Sequence, residues 1–227
     1  MKALVIMTRI PVPNRTKTRL LTILSPEECA GIHRSFLRDI VETSSELDRD
    51  TDIYLFYGDE GPLGIIEDII PKNIATLPQK GRDLGEKMRN IFAELFDKGY
   101  DEVVLMGSDI PEVSAGDLNE AFNNLTAKDI VFGPTLDGGY YLVGMKKLHE
   151  IIFTPVIKWG TPQVFQETID LLGKNGVNVG LIKTHEDIDT KEDLKEFWNR
   201  IKDSRCCKNT RRYICEDIRE RLLCRRV

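Results

Sequence analysis

Long apolar runs are missing from this chain of 227 residues. Nothing in it approaches the roughly 18 residues that cross a bilayer. The first apolar stretch, residues 3–7, is too short for a secretory signal and has no cleavage site behind it, so a cytoplasmic location is expected. Cysteine is scarce in the body of the chain: Cys29 stands alone until Cys206, Cys207, Cys215 and Cys224, which argues against a disulfide framework. Histidine is confined to the dispersed His33, His149 and His185, and no serine or cysteine sits in a nucleophile elbow, so triad hydrolysis is disfavoured. Neither a Walker loop nor a G-x-G-x-x-G segment occurs, which removes the usual warrant for a kinase or a dinucleotide enzyme. There is no internal repeat, low-complexity tract or linker, and composition shifts only after Ile201.

What is present is enough for one α/β domain: 41% of residues are hydrophobic, sufficient for a sizeable core. The net charge of −5 conceals an asymmetry. Residues 202–227 are basic, which leaves the body near −10 and makes nucleic acid an unnatural partner for it. Short β-branched runs alternate with longer periodic segments, predicting βαβ units, a mostly parallel sheet and helices on both faces. The expected strands cover residues 3–7, 52–57, 74–77, 102–107, 129–133, 140–145 and 177–183. Ser25-Pro26-Glu27-Glu28 is a full capping box, Ser114 and Thr190 repeat the cap with aspartate three residues on, and Thr161-Pro162 reads as a fourth helix start. Helices over 26–47 and 83–98 carry apolar stripes that face a sheet.

Five segments at strand exits carry chemistry. The first strand runs into residues 8–20, a loop with Arg9, Arg15, Lys17 and Arg19, the stiffening Pro11 and Pro13, and Asn14, which tolerates a left-handed backbone. Several cations at a strand exit repel one another unless an anion sits among them, so a phosphate chain is the expected ligand. Strand 102–107 ends in Ser108, Asp109 and a strand-stopping proline, placing one carboxylate at the sheet rim, where Mg²⁺ or Mn²⁺ takes few carboxylates plus phosphate oxygens. Asp187 and Asp189 after the last strand are candidates for the same ion. Asp137-Gly138-Gly139 reads first as a hairpin turn, with Asp137 also able to hold sugar hydroxyls or a reacting group and the glycines allowing close approach. Gln79, Gly81 and Asp83 open a helix whose amides could face an anion, although a plain loop explains them equally well.

These blocks together resemble the DUF2064 family of glycosyltransferase-A-fold proteins, also called arsenosugar-biosynthesis glycosyltransferases. The family loop K-x-P-x-P-G-x-x-K-T-R-L is met by Arg9, Pro11, Pro13, Asn14, Lys17, Thr18, Arg19 and Leu20, with arginine and asparagine replacing lysine and glycine. Residues 79–85, 107–111, 133–141, 159–161 and 187–190 match further blocks in order. The resemblance implies a Rossmann-like nucleotide-diphospho-sugar transferase fold over residues 1–203, with 204–227 a basic, cysteine-containing extension, and a divalent metal at Asp109. Related phospholactate guanylyltransferases share a similar Lys-Thr-Arg-Leu loop, and molybdenum-cofactor nucleotidyltransferases share the fold. By analogy with the 137–141 block, transfer of a sugar from a nucleotide sugar to a small acceptor is the first expectation. Nucleotidyl transfer from a nucleoside triphosphate, releasing pyrophosphate, and a catalytically silent nucleotide-binding module are the alternatives. Asp109, Asp137 and Lys17 are the expected catalytic residues; Arg9, Pro11, Arg15, Arg19, Gln79, Gly81, Asp83, Ser108, Gly138 and Gly139 are expected at the substrate. Zinc on the tail cysteines is the lesser alternative to a basic helical appendage.

Overall fold

The computed structural model describes residues 1–154, 157 and 159–223. Its centre is strand β1 (Lys2–Thr8), which pairs in parallel with β2 (Thr51–Tyr57) on one side and β4 (Glu102–Gly107) on the other. β3 (Ala75–Pro78) lies outside β2, while β6 (Tyr140–Met145) runs antiparallel between β4 and β5 (Ile130–Pro134). β7 (Val179–Leu181) closes the far edge in parallel with β5, giving a seven-stranded sheet of order β3-β2-β1-β4-β6-β5-β7. The expected seventh strand is shortened because it is an edge with a single neighbour. Beyond Leu181 the contact with β5 continues only as isolated bonds, Ile182 N to Phe132 O at 3.0 Å and His185 N to Pro134 O at 3.1 Å.

Alternation along β1 builds both layers. Leu4 and Ile6 face a cluster with Leu37, Ile40 and Val41 of α1 (Pro26–Ser44) and Leu118 and Phe122 of α3 (Ala115–Leu125). Ala3, Val5 and Met7 face Met88, Phe92 and Leu95 of α2 (Leu84–Asp97) and Leu172 of α4 (Val164–Lys174). The capping boxes at Ser25, at Ser114 and at Thr190, the last opening α5 (Lys191–Ile201), all form. α1 stops at Ser44 instead of 47, its end tightened by Glu46 N to Thr43 O and Leu47 N to Ser44 O bonds.

The expected helix start at Thr161 is corrected. α4 begins at Val164 behind Gln163, which provides no side-chain cap, and Val164 N bonds the Thr161 carbonyl at 3.2 Å. Residues 161–163 are held instead by the turn after β5. Gly138 has φ of +88° and lies so close that a Cβ there would meet Pro162 O at 1.9 Å, and Phe165 N bonds Gly138 O at 3.0 Å. Trp159 packs edge-on to Tyr140, with its ring against Gly85.

The last segment departs from a simple appendage. α6 (Lys208–Tyr213) passes through a π turn (Ile214–Ile218) into α7 (Arg219–Leu223), and Ile214, Ile218 and Leu222 join Phe36 of α1 and Leu194, Phe197 and Trp198 of α5 in a third apolar cluster. Buried Asp39 on α1 caps α6, accepting from Asn209 N at 2.9 Å, Asn209 Nδ2 at 2.8 Å and Thr210 N at 2.9 Å. Among the described residues the tail cysteines form no metal-holding group: Cys207 is buried and bonds Pro111 O at 3.2 Å, while Cys206 and Cys215 are exposed. Cys224 lies outside the described residues. Among the described residues no helix is long and apolar enough to cross a membrane.

A buried carboxylate that satisfies three donors leaves all of them bare when removed. Asp39→Ala is expected to cost about 2–3 kcal/mol of unfolding free energy, read by denaturant titration, and to speed amide exchange selectively in 208–223. A loss spread evenly over the sheet amides would contradict the docking role.

Candidate active site

The carboxyl ends of β1 and β4, the start of β6 and the segments that follow β2 and β3 enclose a cavity of about 550 Å³, at the edge where parallel strands gather ligands. Its upper wall is the loop leaving β1. Arg9 turns outward toward Glu60, at 3.7 Å, and Glu60 also accepts Ile10 N at 3.2 Å, so the carboxylate fixes the loop's first residues. Asn14 adopts the left-handed conformation expected of it, with φ of 63°. Lys17 does so too, at φ 45° and ψ 41°, an uncommon backbone for a long side chain. Immediately after it a 3₁₀ turn (Thr18–Thr22) anchors Leu20 in the third apolar cluster, which is why the loop can hold Lys17 in that state.

The left-handed turn sends Lys17 inward, where only 3% of its side chain is exposed. Its ammonium meets Asp109 Oδ1 at 2.6 Å, Asp189 Oδ1 at 3.1 Å and the Ile188 carbonyl at 2.8 Å, and lies 5.4 Å from the centre of the Phe36 ring. Burial alone lowers an ammonium's pKa, but the two carboxylates outweigh it and the net shift is upward. Asp109 experiences the reverse: burial raises its carboxyl, and Lys17 above all brings it below the usual range. All three ammonium hydrogens are thereby committed. Asp187 has no such relief. Burial first, then the charges of Asp109, Asp137 and Asp189, push its carboxyl up to about 7 despite Lys17. The acidic end of the cavity therefore carries more negative charge than its one buried cation offsets.

Of the expected site residues, the fold brings Arg9, Lys17, Arg19, Gln79, Asp83, Ser108, Asp109, Asp187 and Asp189 to the cavity wall. It places Pro11, Arg15, Gly81, Asp137, Gly138 and Gly139 outside that wall. Arg15 offers its carbonyl to Arg9 at 3.4 Å. Asp137 accepts from Thr135 Oγ1 at 2.5 Å and Gly139 N at 3.0 Å, so its carboxylate secures the turn. Gln79 Nε2 donates to Thr8 O at 2.8 Å and Phe56 O at 3.0 Å, tying the exit of β3 to those of β1 and β2. Asp83 caps α2 through Glu86 N at 2.8 Å. Sequence reasoning missed His33, Thr8, Thr16 and Lys87, all on the wall. Lys87 had a signal, its position one turn after Asp83 on the same helix face. His33 had none, since its partners Thr16, Thr8 and Ser108 are distant in sequence. Among the described residues no three acidic, histidine or cysteine groups are arranged to hold an ion as the side chains stand.

The chain is similar to several known proteins. A 2-phospho-L-lactate guanylyltransferase of Methanothermobacter thermautotrophicus is 27% identical over 198 residues, spanning 83% of this chain and 82% of the relative. A crystal structure from Desulfovibrio desulfuricans G20, provisionally assigned as a nucleotide-diphospho-sugar transferase, is 30% identical with a TM-score of 0.87, covering 98% of this chain and 97% of that one. A cytidylyltransferase from Leptospira borgpetersenii shares the fold, with a TM-score of 0.58 at 14% identity, over 100% of this chain and 99% of that one. The architecture is thus that of the nucleotide-diphospho-sugar transferases. Residues 43–161 match the family described as uncharacterized protein conserved in bacteria (DUF2064), and with the full-length 30% match this chain belongs to that family.

Proposed function

We propose that this chain is a divalent-metal-assisted nucleotidyltransferase, moving a nucleoside monophosphate from a triphosphate to a small phosphorylated acceptor. The observation that carries this reading is the buried Lys17 ammonium, 2.6 Å from Asp109 in a cavity edged by Arg9 and Arg19. A triphosphate needs several cations at one place. With its hydrogens spent on Asp109, Asp189 and Ile188 O, Lys17 fixes the acidic groups and meets phosphate only by exchanging one of them. Arg9, paired with Glu60 at 3.7 Å, and Arg19, paired with Asp189 at 3.3 Å, have side chains 67% and 73% exposed and are the groups that can turn from these exposed pairs to phosphate oxygens.

The donor set fits a hard cation: three carboxylates at one rim, one of them discouraged from ionising by the others. Asp109 would hold the ion with Asp187 or Asp189, and the bound ion would supply charge stabilisation for the leaving phosphates. An acceptor oxygen attacks the α-phosphorus, the bond from that phosphorus to the bridging oxygen of the β-phosphate breaks, and pyrophosphate departs with the electron pair. Arg9 and Arg19 meet the charge that develops on the leaving group. The guanylyltransferase relative supports this reading.

A second reading is sugar transfer from a nucleotide sugar, supported by the Desulfovibrio protein's assignment. It is weakened by the use of Asp137, expected to hold sugar hydroxyls or a reacting group, in securing the turn. Incubation with Mg²⁺, a panel of nucleoside triphosphates and phosphorylated hydroxy acids tests the choice. Acceptor-dependent pyrophosphate release is expected; nucleoside diphosphate release from a nucleotide sugar would favour the second reading, and nucleotide binding with neither product would indicate a silent module.

Asp109→Asn is expected to lower turnover at least about 100-fold and to change unfolding free energy by no more than about 2 kcal/mol, because Lys17 keeps Asp189 and Ile188 O. A larger stability loss with retained turnover would make Asp109 scaffolding. The pH dependence follows from Asp187. Its folded pKa is raised, so the folded apo-protein gains from protonation as pH falls, whereas an ion must displace that proton. Mn²⁺ affinity measured by calorimetry should fall about tenfold per pH unit below about 7 and level off above it. Asp187→Asn should flatten that dependence, and an unchanged slope in the variant would remove Asp187 from the ion's surroundings.

A further inference from the structure

We infer that His33 is a positioning residue, which locks the Thr16–Lys17 corner of the basic loop to the ends of β1 and β4 through a directional chain of hydrogen bonds. The inference rests on reading this loop as the polyphosphate grip. His33 is on α1, 2% exposed, and its three hydrogen-bond partners are buried too: Thr8 and Thr16 at 3%, Ser108 at 5%. Its Nδ1 lies 2.5 Å from Thr16 Oγ1, and its Nε2 lies 3.3 Å from Thr8 Oγ1 and 3.2 Å from Ser108 Oγ.

Proton counting fixes the direction of each bond. Thr8 donates its hydroxyl hydrogen to Arg9 O at 3.0 Å, and Ser108 donates its own to Thr8 Oγ1 at 2.9 Å. Neither hydroxyl has a hydrogen left for the imidazole, so Nε2 carries the hydrogen and shares it between them. Nδ1 is then an acceptor, and Thr16 donates to it. Burial above all, opposed by the Asp109 charge but aided by Lys17 and Arg9, pushes the imidazole down to about 4, which keeps it neutral at ordinary pH.

The consequence falls on the next residues along each strand end. Thr16 precedes Lys17, whose left-handed backbone aims the ammonium inward, and Ser108 precedes Asp109, which receives it. One imidazole thus joins the residue before the cation to the residue before the carboxylate, and a shift of either side is transmitted to the other. Apolar packing would fill the same space without prescribing which hydroxyl donates where, so the histidine supplies register.

Four variants test this: His33→Leu, His33→Asn, Thr16→Val and the Thr16→Val/His33→Leu double. Asparagine places an acceptor near the Nδ1 position and is the conservative replacement. Nucleoside triphosphate affinity with Mg²⁺ is read by calorimetry, and trypsin cleavage after Arg15 and Arg19 is read without ligand. His33→Leu should weaken the nucleotide about tenfold and accelerate cleavage, His33→Asn, which restores the Thr16 bond but not those to Thr8 and Ser108, should recover part of both, and the double variant should be no worse than His33→Leu alone. Additive losses, or unchanged affinity and cleavage in His33→Leu whatever its melting temperature, would overturn the inference. If the wild-type chain binds no triphosphate, the functional reading falls, and the cleavage pattern still decides for or against His33 as the residue that sets the loop.

Discussion

The contact between Lys17 and the carboxylates of Asp109 and Asp189 is the constraint on which the site depends. It joins the loop after β1, the tip of β4 and the segment beyond β7, three parts of the chain that the sheet alone would leave as separate rims. An ammonium this deeply buried is costly unless every hydrogen is used and opposite charge is at hand. Both conditions are met here, by two carboxylates and a backbone carbonyl. The arrangement keeps acidic groups close together that would otherwise repel, and leaves Asp187 as the group that registers the residual excess.

The layers of the fold serve that contact. The sheet's alternation places α1 on one face, and α1 carries a second apolar side that collects α5, the 3₁₀ turn after Lys17 and the last helices. The loop is therefore tethered at both ends, through Glu60 near Arg9 and through Leu20 in the third cluster. Residues 207–222 matter to the site at one remove, because they cover the side of α1 that bears Ile32 and Phe36, and Phe36 faces the Lys17 ammonium.

Much of this was legible in the sequence, for physical reasons that can be named. Strands written as short β-branched apolar runs, buried on both faces, and helices opened by Ser25, Ser114 and Thr190 are governed by local preferences, and local signals survive in a linear chain. So does a strand exit rich in cations or ending in one aspartate. What could not be read depends on distant pairs. His33 acquires meaning only beside Thr16 and Ser108, Asp39 only beside Asn209, and Thr161 lost its helix start to a turn formed around Gly138. Asp137 shows a different failure: the sequence displayed a carboxylate beside two glycines but not that Thr135 and Gly139 would occupy it.

The central claim is that the cation of the first loop and the acids of the distal strand ends form one site for a metal-bound nucleotide. Its most direct test is a crystal structure of the protein with a nucleoside triphosphate and Mn²⁺, read by anomalous scattering. A manganese peak about 2.1 Å from an Asp109 oxygen is expected, shared with Asp187 or Asp189, with the polyphosphate between it and Arg9 and Arg19. A nucleotide bound away from β1 and β4, or manganese on other residues with the Lys17 contacts intact, would contradict it.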